Sequence, residues 1–283
     1  MKIKRIINNN VLCVVDARGC ELIVTGRGIG FGRHRGETID PACVERQYRM
    51  EDPSSQRSLR ELVEKIPVEH LALTQELIAR LKEQIPHKLS ESLLITLADH
   101  ISFAIERKLS GVEFSNPLKS SIIAYYPTEY LLGQQCLRAV REKLGIDLHG
   151  DEAAFIALHI VNAELNTSMT EMYDITRLIE DVTKLVEYFY ARPFDRESLD
   201  FNRFVVHLRY FAQRLFQGKM LEDQDDEHDL LFRQLIMKNC REHYKCAQCI
   251  AQYVRNTWKQ ELSAEELTYL TIHLKRINLQ GSN

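Results

Sequence analysis

Apolar residues follow two regimes along this chain. Over the first fifty positions they come in short runs rich in Val and Ile, at residues 3–7, 11–15 and 20–25. Asn8-Asn9-Asn10 and Asp16-Ala17-Arg18-Gly19 separate these runs. Runs of this kind predict β-strands, and connections this tight predict antiparallel hairpins. A glycine-rich stretch, residues 26–32, follows, and then a last strand around residues 44–50. Fifty residues are few for an independent core, so one face of the sheet is expected to be buried against a second copy. Residues 51–57 carry Pro53, Ser54 and Ser55 and read as a polar linker. Beyond them the spacing turns helical. Leu93, Leu97, Ile101 and Ala104 recur at three and four residues, as do Phe204, Leu208, Phe211 and Leu215.

A second polar join, residues 166–170, divides the helical region into two blocks, each of roughly 110 residues, a common domain size. The blocks repeat one another. The run from His100 to Arg107 aligns with that from His207 to Arg214. Both have an aromatic at +3, Glu or Gln at +6, Arg at +7 and Gly at +11 (Gly111 and Gly218). Near the end of each block Glu152, Phe155, Leu158 and His159 match Glu266, Tyr269, Ile272 and His273. The chain therefore reads as a multidomain α and β protein. A small antiparallel β domain (residues 1–55) precedes two similar all-α helical bundles (65–168 and 172–280).

Composition changes this picture in two respects. The net charge of −3 conceals an asymmetry: residues 1–50 hold nine Lys/Arg against five Asp/Glu, and the remainder 28 against 35. A polyanionic partner is expected on the basic N-terminal segment. Seven irregularly spaced cysteines, no secretory leader and no long apolar stretch are the pattern of reduced thiols in a cytoplasmic protein without membrane insertion.

The histidines are the first candidates for chemistry. Each lies on or beside an apolar helical stripe, where a single His is ordinarily a satisfied core residue. Two matched pairs ask for more, because a filled cavity alone would tolerate Leu or Gln. Metal binding lacks His-Glu-x-x-His spacing, and general acid–base catalysis lacks an accompanying nucleophile motif. Reversible phosphorylation fits the residue type, since a neutral ring nitrogen is a nucleophile. Arg107 and Arg214, two turns along, are expected to pair with the dianionic product.

The glycine-rich stretch does not open a helix within a βαβ unit, as a dinucleotide loop must. Two readings remain: close backbone approach to a bulky ligand, or an ordinary glycine-bearing turn beside asparagines. With Arg5, Asn8, Asn10, Arg27, Phe31 and Arg33 around it, the first reading suits RNA. Guanidinium groups meet phosphates, amides meet base edges and a ring stacks. The string Cys240-x-x-His243-x-x-Cys246-x-x-Cys249 resembles a zinc site. On a continuous helix, however, steps of three drift by about 60° each and do not converge on one ion. Residues 222–229 form an acidic run expected to be a solvated loop.

At the N-terminus, Lys2-Ile3-x-Arg5-x-Ile7-Asn8-Asn9-Asn10-Val11, followed by Gly26-Arg27-Gly28-x-Gly30-Phe31, resembles the co-antiterminator RNA-binding domain of β-glucoside-type transcriptional antiterminators. The two histidine-bearing blocks are similar to the phosphotransferase-system regulation domains that follow it in that family. The resemblance implies a regulator without cofactor or catalytic activity, whose four-stranded N-terminal sheet dimerises. As a homodimer it binds a hairpin in a nascent leader transcript and prevents an overlapping terminator from forming. It implies RNA contacts through Asn10, Gly26, Arg27 and Phe31 and through a basic residue at position 5, here Arg5. Asn8, Gly28 and Arg33 join the expected RNA surface from the residue pattern, Arg33 standing in a segment, residues 32–34, that departs from the family's usual one. It also implies phosphorylation at His100 and His159 in the first regulation domain and at His207 and His273 in the second. The sugar transporter (enzyme II) is the implied silencing donor for the first, and the phosphocarrier HPr the activating donor for the second. A DNA-binding activator with the same regulation domains is the alternative. It requires a helix-turn-helix, against which the β-rich first fifty residues argue.

Overall fold

A computed structural model describes residues 1–49, 52–223 and 227–277. The chain separates into two compact units, Met1–Lys119 with Tyr126–Asn166, and Ser120–Tyr125 with Thr167–Asn283. Each is built around its own helices.

In the first unit, β1 (Lys2–Asn8), β2 (Val11–Val15), β3 (Glu21–Thr25) and β4 (Arg46–Tyr48) form one antiparallel sheet in sequence order. The expected strands are therefore present; Met50 and Glu51 lie outside the described residues. Asn8 Oδ1 accepts the Asn10 amide in the first hairpin turn, and Asp16 Oδ1 accepts the Arg18 and Cys20 amides in the second. Side chains alternate across the sheet. Ile3, Leu12, Val14, Leu22 and Val24 pack with Ile29 and Ile39 on one face, beneath the glycine-rich stretch. Val11, Cys13, Ile23 and Tyr48 occupy the other.

The second face departs from expectation. It is covered by the chain's own helices, through Leu59, Leu62 and Val63, Leu71, and Ala98. The segment read as a polar linker opens the helix that supplies much of this cover, α1 (Pro53–Val63). Its start obeys helix-capping rules: Asp52 accepts the Ser55 amide at 2.7 Å, and Pro53 stands at the first helical position. From Asp52 on, the polar positions of that segment are the cap and first turns of a helix, and its apolar face lies just downstream.

The rest of this unit is α2 (Val68–Gln84), α3 (Ser92–Leu109), α5 (Pro127–Leu144) and α6 (Glu152–Leu165). Leu77, Leu81, Leu97, Ile101, Val140, Ile156 and Ile160 are among the residues of their common core. Helix α6 is buried on nearly every side, which its almost wholly apolar sequence permits. It approaches α5 closely at Gly133, where a Cβ would stand 2.2 Å from the Ala153 carbonyl oxygen.

Helix α4 (Lys119–Tyr125), all but its first residue, belongs to the second unit. There Ser121 donates to Glu180, and the Tyr125 carbonyl accepts from Arg209. The other helices are α7 (Met169–Phe189), α8 (Leu199–Gln217), α9 (Glu227–Asn239), α10 (Arg241–Trp258) and α11 (Ala264–Arg276). Ser168 and Glu171 form a capping box at the start of α7, in the join expected from sequence. Phe201, Phe204, Leu208, Phe211 and Leu215 of α8 are buried, as the helical spacing required. The repeated glycines explain themselves here: Gly111 (φ 71°) and Gly218 (φ 65°) end α3 and α8 in the left-handed conformation.

Of the acidic run, residues 224–226 lie outside the described residues. Asp223 accepts the Glu265 amide at the start of α11, and α9 already begins at Glu227, so only part of the run is loop. No helix among the described residues is long and apolar enough to cross a membrane.

Candidate functional site

The N-terminal candidates gather on one loop system. The Asn10 carbonyl accepts from the Gly26 amide, Asn10 Oδ1 from the Gly28 amide at 2.8 Å, and the Asn9 carbonyl from the Gly30 amide. Asn8 and Asn10 therefore spend their carbonyl oxygens on shaping the loop. Gly26 and Gly30 leave no clearance for a ligand. A Cβ would stand 2.3 Å from the Cys43 carbonyl oxygen at the first and 2.4 Å from that of Asn8 at the second. The close approach inferred from their spacing is real, but it is to the chain's own backbone.

What this frame presents is Phe31, 74% exposed, and the exposed Arg27. Arg5 is engaged 2.9 Å from Glu64, and Arg33 lies 3.6 Å from Glu37. A solvent-facing ring costs stability unless it meets a partner, and ring plus guanidinium is a pairing suited to unstacked bases and phosphates.

The histidines meet as the repeat implies. In the first unit His100 of α3 and His159 of α6 have ring centroids 4.9 Å apart. His100 Nε2 lies 3.0 Å from Glu152 Oε2, and Arg107 donates to Glu152 Oε1 at 2.7 Å. Burial opposes ionisation of Glu152, yet the bonds and charges of His100 and Arg107 outweigh it and hold the carboxyl below its ordinary range. His159 is nearly enclosed, its Nδ1 has no hydrogen-bond partner among the described residues, and its pKa is driven down to about 3 by burial and then by His100. Its ring is neutral across the physiological range.

The second pair is tighter and differently wired. His207 of α8 and His273 of α11 stack with centroids 3.4 Å apart and planes at 26°. The Tyr269 hydroxyl donates to the His207 carbonyl and lies 3.0 Å from His207 Nδ1. The hydroxyl thus sits against both the backbone carbonyl and the Nδ1 side of the His207 ring, the side away from Nε2. Burial lowers both pKa values, aided at His207 by Arg276 and Arg214, and His273 falls to about 4.

Arg107 and Arg214 do not stand ready for a dianionic product. Arg214 grips the fully buried Glu266 through two bonds of 2.7 and 2.8 Å, as Arg107 does Glu152 through one. The glutamates that marked the repeat are thus the partners of the arginines that marked it. That pairing was available from the sequence only as two co-repeating residues of opposite charge. Arg276, beside the second pair, carried no such signal, because its counterpart three residues after His159 is Asn162.

Of the cysteine string, Cys240 is buried before the first turn of α10, Cys246 is buried within it and Cys249 is exposed. His243 Nδ1 lies 2.6 Å from the Tyr190 hydroxyl.

Comparison with known proteins places these parts. The CAT RNA binding domain family matches residues 1–57, and the PRD domain family matches residues 75–163 and 180–277. The transcription antiterminator LicT of Bacillus subtilis (strain 168) is 38% identical over 99% of this chain and 100% of its own. The beta-glucoside operon antiterminator of Dickeya chrysanthemi is 35% identical over 98% of this chain and 96% of its own. A crystal structure of GlcT CAT-PRDI is 30% identical, with a TM-score of 0.48, over 58% of this chain and 97% of that one. The exposed-ring loop, the duplicated histidine bundles and full-length similarity converge: this chain belongs to the transcription antiterminators that carry a CAT RNA binding domain followed by PRD domains, and it is a regulator rather than an enzyme.

Proposed function

We propose that the chain acts in the cytoplasm as a homodimer on a partly paired hairpin in the leader transcript of a sugar-utilisation operon, preventing formation of the terminator. The observation that carries this reading is the exposure of Phe31 and Arg27 on one loop whose backbone is tied down by hydrogen bonds to Asn9 and Asn10. A fixed platform with a bare ring suits splayed bases, since little ordering remains to be done on binding. Arg5, Asn8, Asn10, Gly26, Gly28 and Arg33 are assigned to the same surface, the glycines and asparagines as its shapers.

Phosphorylation of the histidine pairs is the proposed control. His100 and His159 receive phosphate from a sugar-specific enzyme II and silence the protein; His207 and His273 receive it from HPr and activate it. Support comes from the burial that holds the His159 and His273 rings neutral and from the pairing of each histidine with its partner across two helices. Because the sheet face that carries Val11, Cys13, Ile23 and Tyr48 is covered by residues of α1, α2 and α3, dimerisation uses another surface or follows a movement of those helices.

Fluorescence anisotropy of the full chain on its own operon's leader hairpin tests the RNA reading. Binding should exceed that to scrambled hairpins, and Phe31→Ala should weaken it about tenfold, the order of 1–3 kcal/mol that one base–aromatic stack contributes. Equal affinity for own and scrambled hairpins would sink it.

A further inference from the structure

The two histidine pairs differ in the charge of what surrounds them. At the second pair a cleft of about 290 Å³ is lined by Asp200, Arg203, Phe204, His207, His273 and Arg276. Arg276 is exposed and makes no ion pair among the described residues. Arg203 lies 3.8 Å from Asp200, the cleft's one carboxylate. Glu266, the nearby buried acid, is fully engaged by Arg214 and the Leu221 amide. At the first pair the positions corresponding to Arg203 and Arg276 hold the uncharged Thr96 and Asn162, and a carboxylate oxygen of Glu152 stands 3.0 Å from His100.

We propose that the cleft at the second pair is an oxyanion site, in which Arg276, assisted by Arg203, holds a phosphoryl group against His207 and His273, and that the first pair has no such holder. A tetrahedral dianion needs donors aimed at its oxygens, and guanidinium groups supply them at fixed angles. With two arginines against one aspartate the cleft is net cationic, and after burial Arg276 is among the causes that lower both imidazole pKa values. At the first pair the same group would arrive beside Glu152 and be repelled unless that side chain turned away. The covalent form of the proposal rests on the phosphoacceptor reading above; the anion site itself does not.

Arg276 also ends α11, where a cation favours the helix dipole, so stability alone cannot test its role. Titrating the full chain with inorganic phosphate, against chloride at matched ionic strength, should shift the NMR ring signals of His207 and His273 and leave His100 and His159 unmoved. Arg276→Asn, which installs the first domain's residue, should weaken this response at least tenfold, and Arg276→Lys should restore part of it. No response, or one that Arg276→Asn leaves intact, overturns the site.

In a second arm the chain is loaded with phosphoramidate. The P–N bond of the reagent breaks, ammonia leaves, and a P–N bond to the imidazole forms. Phosphorus NMR with peptide mapping should show phosphate retained longer on the second pair, retention shortened by Arg276→Asn and lengthened on the first pair by Asn162→Arg. Equal lifetimes in all three proteins overturn the holder. If no histidine takes up phosphate, the phosphoacceptor reading falls, and the inorganic phosphate titration still decides the cleft.

Discussion

Burial takes the His159 imidazole down to about 3, whereas an unfolded chain titrates it near 6.5. The sign of the consequence follows. Below pH 6.5 the unfolded state binds a proton that the folded state refuses, so stability is present above that pH and is lost as the pH falls towards 3. Between pH 6.5 and 5 the loss from this one residue should be about 2 kcal/mol. His273, lowered to about 4, acts in the same direction. Urea unfolding of His159→Gln should show a flatter dependence over that interval; an unchanged slope would mean that His159 is protonated in the fold. Gly30 carries a separate residue-scale expectation. Gly30→Ala places a methyl 2.4 Å from the Asn8 carbonyl oxygen, so the loop must shift, at a cost of about 2 kcal/mol. RNA affinity should fall with it, although Gly30 itself offers no side chain to a ligand.

Pairs of elements are joined by buried charge. Arg214 on α8 and Glu266 on α11 form a two-bond brace, with Glu266 fully enclosed. Glu266→Gln leaves the guanidinium half buried without its counter-charge and should cost about 3 kcal/mol. The double change Arg214→Met with Glu266→Leu should recover most of that, because an apolar pair of similar volume needs no desolvation of ions. Thermal melts of the two variants separate these outcomes; a double variant as unstable as the single would show that the bracing geometry, not the stranded charge, mattered. Helices α5 and α6 are joined instead by absence of a side chain. Gly133→Ala puts a methyl 2.2 Å from the Ala153 carbonyl oxygen and should force the helices apart. The ring signal of His159, further along α6, should move with them.

Across the whole molecule, the second unit is not a continuous stretch of chain. It takes Ser120–Tyr125 from within the sequence of the first helical block, held by the Ser121–Glu180 bond, the Arg209 bond to the Tyr125 carbonyl and the Tyr125–Phe201 ring contact. A fragment of residues 167–283 should therefore melt below the same unit in the intact chain. A peptide of residues 117–127 added in trans should raise its midpoint in a concentration-dependent way. A fragment as stable as the intact unit, and indifferent to the peptide, would show that the segment adds nothing.

Strand positions, the helical blocks and the pairing of histidines were legible in the sequence because each depends on local periodicity. Val11–Val15 cannot alternate faces in any other register, and a repeat with Glu, aromatic and His at fixed steps fixes their helical face. The exposed Phe31 and the basic N-terminal segment were readable for the same reason, since a ring among glycines and turn residues has little local core to enter. Tertiary structure alone decided where the spare surfaces went. Whether α1 or a second copy covers the sheet depends on residues 59–63 meeting strands some forty residues earlier. Whether Arg107 and Arg214 face a phosphate or a glutamate depends on how α3 meets α6 and α8 meets α11. Local pattern says which face of an element is apolar or charged; only packing says what that face meets.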